Sequence, residues 1–359
     1  MSIDQAVLGY LLDYLWHNQG SDLHLTAGAK PLVRIVDELQ TVPGTQELDG
    51  VDTNALAEQL LNTAQLAELT AGHDVDFSMS WRGNARIRGN VFHQRDTVAL
   101  ALRMMPRRIP TFDELGLPPV VRRLGQLNQG FVLISGPTGS GKSTTLASLV
   151  DWINEHRAVN IITIEDPIEY VHTHKRSAVN QRAVGRDTES FVSALRSALR
   201  EDPDILVIGE MRDLESISAA LTLAETGHLV FTSVHTNDTS QALERLVNVF
   251  PGDKQQHVRI QLASSLTAVV HQQLLPRAGG GLVAAFEILI ANPAVRHLLV
   301  EGKVSQVRNQ LLSFQRDGMQ TLEVSLSDLL SRGLITYEDA MAKSLHPKDI
   351  RRLDGPAAG

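Results

Sequence analysis

Four short apolar runs limit what this chain can fold into: residues 131–135 (FVLIS), 161–164 (IITI), 205–208 (ILVI) and 229–233 (LVFTS). None alternates apolar with polar residues, which is the pattern of strands covered on both faces of a parallel sheet. Helical stretches separate them; within residues 187–201, Phe191, Val192, Leu195, Ala198 and Leu199 share one face. Strands alternating with helices predict a doubly wound α/β domain over residues 119–291. Residues 292–359 read as a helical C-terminal part broken at Gly302, Gly318 and Gly333, with a frayed tail from residue 354.

The N-terminal third reads differently. Residues 1–17 predict an amphipathic helix with Ala6, Leu8, Leu11, Leu12 and Leu15 near one side, and residues 53–70 a second one. Residues 22–25 and 32–35 alternate around Gly28 and Pro31 and predict strands with a turn. Residues 75–79 and 85–103 predict further strands. Together they make a small α+β domain over residues 1–103. Pro106 and Pro110 then break any regular element, so residues 104–118 are expected to be a linker.

Composition removes several function classes. With 359 residues the chain has the length of about two domains. Thirty-three basic against 41 acidic residues give a net charge of −8, which argues against holding nucleic acid by phosphate neutralisation. Cysteine is absent, which excludes disulfides, thiolate zinc sites, iron–sulfur clusters and thiol catalysis. No apolar run reaches the roughly 18 residues of a membrane span. The first 17 residues carry Asp4 and Asp13 without a basic leader, so they are not read as a signal peptide, and a cytoplasmic location is expected.

The chemistry gathers after the apolar runs. Gly136, Pro137, Thr138, Gly139, Ser140, Gly141, Lys142 and Ser143 match G-x-x-x-x-G-K-[ST] between a strand and a helical run. Such a loop curls backbone N–H groups around phosphates at a helix N-terminus. Lys142 adds charge at the β/γ oxygens, and the Ser143 hydroxyl is a Mg²⁺ ligand in this arrangement. Glu165, Asp166 and Glu169 follow the second run, Glu210, Arg212 and Asp213 the third, and His235 the fourth, with His228 just before that strand. Ligands of open parallel sheets bind beyond the carboxyl ends of the strands, so these groups are expected to converge on one nucleotide. A carboxylate after such a strand binds Mg²⁺; a second one orients or deprotonates the attacking water. The competing readings are structural: Glu165 and Asp166 as caps before Pro167, Glu210 as a partner of Arg212, His235 as a core histidine. A zinc site from the two histidines matches no known spacing. Arg82, Arg86, Arg88, Arg95 and Arg103 form a basic set in the small domain. It reads equally as a solvated sheet face or as cations reaching γ-phosphate charge across a boundary.

The segments GPTGSGKSTT, TIEDPIEYVH, LREDPDILVIGEMRD and TGHLVFTSVHTND resemble, in order, the Walker A, Asp-box, Walker B and His-box motifs of secretion ATPases. These are the motors of type II secretion and type IV pili. SDLHLTAG, ARIRGNVFHQR, DELGLP, GMQTLEVSLSDLLSRGLITYEDA and the length are similar to the PilT-like pilus-retraction (twitching-motility) branch. Of that branch's AIRNLIRE signature, Ala294, Arg296, Leu298 and Glu301 remain, and the tetracysteine motif of extension ATPases is missing. The resemblance implies a PAS-like N-terminal domain, a RecA-like ATPase domain and a homo-hexamer that hydrolyses ATP with Mg²⁺. Its partners would be an inner-membrane pilus platform protein and a sister motor ATPase, with membrane association only through them and none with nucleic acid. By position, Lys142, Ser143 and Thr144 belong to Walker A, and Glu165 is the Asp-box acid we assign as general base. Glu210 is the Walker B acid near Mg²⁺, and His228 and His235 are the His-box histidines. Arg86, Arg88 and Arg103 match the arginines that approach the nucleotide in this family. The alternatives are a pilus assembly or type II secretion ATPase, a RecA-like nucleic-acid translocase and a non-hydrolysing adaptor.

Overall fold

In a computed structural model, the structure describes residues 5–35, 38–82, 85–105, 108–211 and 213–350. Arg212, Pro106 and the tail from residue 351 lie outside the described residues. The chain divides into two compact units, Met1–Arg108 and Ile109–Gly359.

Among the described residues, the first unit is an antiparallel six-stranded sheet with three helices. Its strands are β1 (Asp22–Thr26), β2 (Leu32–Ile35), β3 (Glu38–Thr41), β4 (Val75–Trp81), β5 (Ala85–Gln94) and β6 (Thr97–Met104), in the order β3-β2-β1-β6-β5-β4. Leu8, Leu11, Leu12 and Leu15 of the helix Gln5–His17 are buried in one core with Leu23, Leu25, Ile87, Val91, Leu100 and Leu102 of the sheet. The expected helix over 53–70 is two helices, Gly50–Leu60 and Thr63–Thr70, because Asn62 caps the second in a reciprocal pair with Gln65. The expected strand over 85–103 turns back at Arg95 and Asp96, both with positive φ, into the hairpin β5–β6.

The second unit is a seven-stranded sheet: β7 (Gly130–Ser135), β8 (Asn160–Glu165), β9 (Ala178–Ala183), β10 (Ile205–Ile208), β11 (Leu229–Val234), β12 (Leu266–Pro276) and β13 (Leu282–Ile290). The order is β13-β12-β7-β11-β10-β8-β9, and every pairing is parallel except β12 with β13. Along β7, Val132 and Ile134 join the core shared with the helix Lys142–His156, while Phe131 and Leu133 join that of the helices Phe191–Ala198 and Leu214–Glu225. Burial on both faces explains the lack of alternation in its sequence.

The second unit begins inside the stretch expected to be a linker. Phe112 and Leu117 are buried against Leu146 and Leu149, and Ser148 donates to the Pro110 carbonyl. The C-terminal helices are also built into this unit: Val295, Leu299, Val307 and Leu311 enter the main core. Leu322, Leu326 and Leu329 cover Leu275 and Ala285 of the β12–β13 hairpin. Arg296 donates to the Ala263 and Ser264 carbonyls at the end of the helix Gly252–Ser265. Helix Phe191–Ala198 starts later than residue 187 because Ser190 caps it, while Asp187 accepts the Ala183 N–H and closes the preceding turn.

Candidate active site

The phosphate loop leaves the carboxyl end of β7 and opens the helix Lys142–His156, whose N-cap is Gly141 and which has no side-chain cap. Its first N–H groups are therefore available to an anion. Gly136, Gly139 and Gly141 have φ of 151°, 76° and 84°. A Cβ on Gly136 would lie 2.3 Å from the Gln272 carbonyl and 2.4 Å from Ser140 Oγ, so that position admits only glycine. Pro137, Thr138, Gly139 and Ser143 are exposed, and Ser140 is buried.

Lys142 is buried, and Nζ donates to the carbonyls of Gly136 and Pro137 (2.9 Å each) and to Nδ1 of His235 (3.2 Å). His235 Nε2 lies 3.3 Å from Glu210 Oε1. An ammonium has no acceptor capacity, so Nδ1 must accept and Nε2–H must donate to Glu210. Burial pulls the lysine below its ordinary pKa, opposed by the charges of Glu210 and Glu169. Lys142, His235 and Glu210 thus form one connected line at the ends of three neighbouring parallel strands, β7, β11 and β10.

Glu165 closes β8 beside Gly209; a Cβ on Gly209 would lie 3.5 Å from the Glu165 Cα. Its Oε1 accepts from Thr163 Oγ1 (2.6 Å) and Gln181 Nε2 (3.0 Å). Burial pushes this carboxyl above the usual range, against those two hydrogen bonds and the charge of His172. Further along the chain, Tyr170 is buried with its hydroxyl 2.9 Å from Thr144 Oγ1, tying the Asp-box segment to the phosphate-loop helix.

His228 does not join this cluster. It precedes β11, with Nδ1 near the Leu223 carbonyl (3.0 Å) and Thr226 Oγ1 (3.2 Å) at the end of helix Leu214–Glu225. The six-residue strand separates it from His235 by about 20 Å. The expectation that His228 meets the nucleotide bound by its own chain is therefore corrected. The sequence pattern places it at the amino end of the strand, where parallel sheets do not gather ligands.

The arginines lie in the first unit. Arg88 faces Arg103 across β5–β6, and Arg103 faces Asp22 across β6–β1. Arg103 Nε donates to Asp22 Oδ1 at 2.7 Å. Arg86, on the same face as Arg88, is buried and donates to Ser78 Oγ (2.9 Å) and Ser80 Oγ (3.3 Å). Burial alone would raise Asp22, yet hydrogen bonds from Ser21 and Arg103 hold it below the usual carboxylate range.

Three buried residues of β12 escaped the sequence reading: His271, Gln272 and Gln273. Gln272 Nε2 donates to the Ser140 carbonyl (2.7 Å), and its Oε1 accepts from Thr145 Oγ1 (2.6 Å), so one amide holds both sides of the phosphate loop's exit. His271 Nδ1 lies 3.2 Å from Ser135 Oγ, and burial pulls its pKa to about 4. The signal was there, a polar triplet inside an apolar strand, but a single strand does not reveal which loop it backs.

A cavity of about 260 Å³ is lined by Asp238, His271, Glu287, Arg308 and Glu323 among others. Its buried acids are internally satisfied: Glu287 accepts from Thr239 Oγ1 and N–H, and Glu323 from Arg308, Ser344 and the His346 N–H. The described residues contain no group of three or more His, Asp or Glu arranged to hold a metal by themselves. A Mg²⁺ shared with phosphate needs fewer protein ligands, and the exposed Ser143 hydroxyl and Glu210 carboxylate are the hard oxygen donors it takes. No helix among the described residues is long and apolar enough to cross a membrane.

Residues 82–299 match the family model described as type II/IV secretion system protein. The chain is 44% identical to the type IV pilus retraction ATPase PilT of Pseudomonas aeruginosa, over 95% of this chain and 98% of that protein. It is 42% identical to a twitching motility protein of Neisseria gonorrhoeae, over 89% and 86%. The crystal structure of the pilus retraction motor PilT with bound ADP superposes with a TM-score of 0.88 at 47% identity, covering 94% of this chain and 97% of that one. The parallel sheet with its phosphate loop is the RecA-like ATPase unit of these proteins, and the chain belongs to the PilT-like pilus-retraction ATPases of the type II/IV secretion system family.

Proposed function

We propose that the chain is the motor of type IV pilus retraction and twitching motility, working as a homo-hexamer that hydrolyses MgATP. The observation that carries the reading is the line Lys142–His235–Glu210 beside Glu165, at the carboxyl ends of parallel strands. ATP places its β- and γ-phosphates over the backbone N–H groups of residues 138–144. Lys142 then exchanges the Gly136 and Pro137 carbonyls for phosphate oxygens. Glu165, whose proton affinity burial raises, takes a proton from the attacking water as the bond to the β-phosphate oxygen breaks. Ser143 and Glu210 would hold a Mg²⁺, which would supply positive charge against the triphosphate. Arg86, Arg88 and Arg103 gather positive charge on one sheet face, with Asp22 as the acid partner of Arg103. We assign them to the γ-phosphate end of a nucleotide. Work is delivered to an inner-membrane platform protein from the cytoplasmic side, with a sister motor ATPase as the second partner.

The test is steady-state turnover with and without Mg²⁺ for the wild type, Lys142→Ala and Glu165→Gln, alongside light scattering with and without ATP. Turnover that needs Mg²⁺, drops by about 10²–10³ in each variant and travels with a six-fold particle supports the reading. Fully active monomers, or undiminished variants, overturn it.

A further inference from the structure

Gln181 lies on the edge strand β9, and nothing in the motif pattern singles it out. Its side-chain amide nonetheless makes three hydrogen bonds. Oε1 accepts the His172 N–H (2.8 Å), while Nε2 donates to the Tyr170 carbonyl (2.8 Å) and to Glu165 Oε1 (3.0 Å). This fixes the amide's orientation. A backbone N–H requires the oxygen, and two acceptors require the two hydrogens of the NH₂ group. Glu165 therefore meets two donors on one oxygen, Thr163 Oγ1 and Gln181 Nε2.

We propose that Gln181 is a positioning residue for ATP hydrolysis: it pins Oε1 of Glu165 so that Oε2 is presented to the attacking water. This rests on the reading of Glu165 as general base. Geometry and charge act together. A half-buried carboxylate at a strand end, with one oxygen held by two donors and the Glu169 N–H bonded to the same group, is restricted in its rotation. The same donors favour its ionised form against the desolvation that opposes it. Gln181 also reads the segment beyond the base: its hold on Tyr170 and His172 fixes the stretch whose Tyr170 hydroxyl meets Thr144 on the phosphate-loop helix. Base and phosphate loop are thereby set relative to each other through one amide.

The experiment is the pH profile of kcat and the KM for ATP in the full-length protein, for the wild type, Gln181→Leu and Gln181→Glu, with Glu165→Gln as control. Melting curves and ADP binding check that each variant folds. Loss of the Gln181 donor lets Glu165 protonate more easily, so the acid limb of kcat should move up by about one pH unit. With the carboxylate loosened, kcat at pH 7 should fall about 10–100-fold while KM changes less than about twofold. Gln181→Glu sets a second carboxyl against Glu165 and should raise the limb at least as far. Should Gln181→Leu not fold, Gln181→Glu, nearly the same shape, carries the test. A uniform fall with the acid limb unmoved, or a change confined to KM, overturns the inference and leaves the base assignment standing if Glu165→Gln is inactive. Retained turnover in Glu165→Gln overturns both.

Discussion

Lys142 Nζ donates to Nδ1 of His235 at 3.2 Å, and that contact decides the histidine's tautomer. With Nδ1 committed as acceptor, the ring proton sits on Nε2 and points at Glu210, 3.3 Å away. The Lys142 ammonium and the Glu210 carboxylate are therefore linked through one imidazole.

That link can be tested directly. His235→Phe keeps a ring of similar breadth but removes both polar contacts. ATP turnover should fall by about 10², with ADP affinity changed far less, since the loop N–H groups and Lys142 remain. Wild-type turnover in this variant would show that the line Lys142–His235–Glu210 is structural only.

Gly136→Ala should abolish nucleotide binding. Its Cβ would lie 2.3 Å from the Gln272 carbonyl and 2.4 Å from Ser140 Oγ at a φ of 151°, so the loop must move. Gly139→Ala meets no atom within 4 Å and has only its positive φ against it, a strain of about 1–2 kcal/mol. Fluorescent ADP titration should separate the two, with binding lost in the first and weakened in the second.

Gln272→Leu removes the clamp on the loop exit. The Ser140 carbonyl and Thr145 hydroxyl lose their partner in a buried setting, at about 1–3 kcal/mol for each group left unsatisfied. Lower melting temperature and weaker ADP binding are expected together. A fall in melting temperature with unchanged ADP affinity would separate the strand's stability from the loop's shape.

His271 should make stability depend on pH. Burial holds it near 4 in the folded chain against 6.5 when unfolded. Between those values the unfolded chain binds a proton that the folded chain does not. Its contribution is complete above about pH 7 and is lost as pH falls through 6.5 towards 4, by about 3 kcal/mol. Glu165 and Glu287 are raised and act with the opposite sign, so the wild type minus His271→Gln difference isolates the histidine. Denaturant midpoints at about pH 7.5 and about pH 5 measure it; equal differences at both pH values would reject this account.

The ATPase core was legible because its signals are local. A strand buried on both faces is mostly apolar, so β7, β8, β10 and β11 stand out as apolar runs. The residue after each run must lie at one edge of the sheet. That rule points to Glu165, Glu210 and His235, and the phosphate-loop motif points to Lys142. β9 was not legible. It is an edge strand, half exposed and polar, and the residue that gives it a role at the site, Gln181, looks like any surface glutamine.

The sequence by itself therefore determined the loop, the strands that end in charged groups and the order in which those groups appear. Tertiary structure alone decided which side chains His235 meets and which amides back the site. His228 and His235 flank the same strand and read alike, yet its length puts them at opposite ends of it. Gln272 arrives from 132 residues beyond Ser140 to hold its carbonyl. Contacts at that separation are set by how the strands order themselves in the sheet, which depends on the packing of the whole core and leaves no mark in any short stretch of chain.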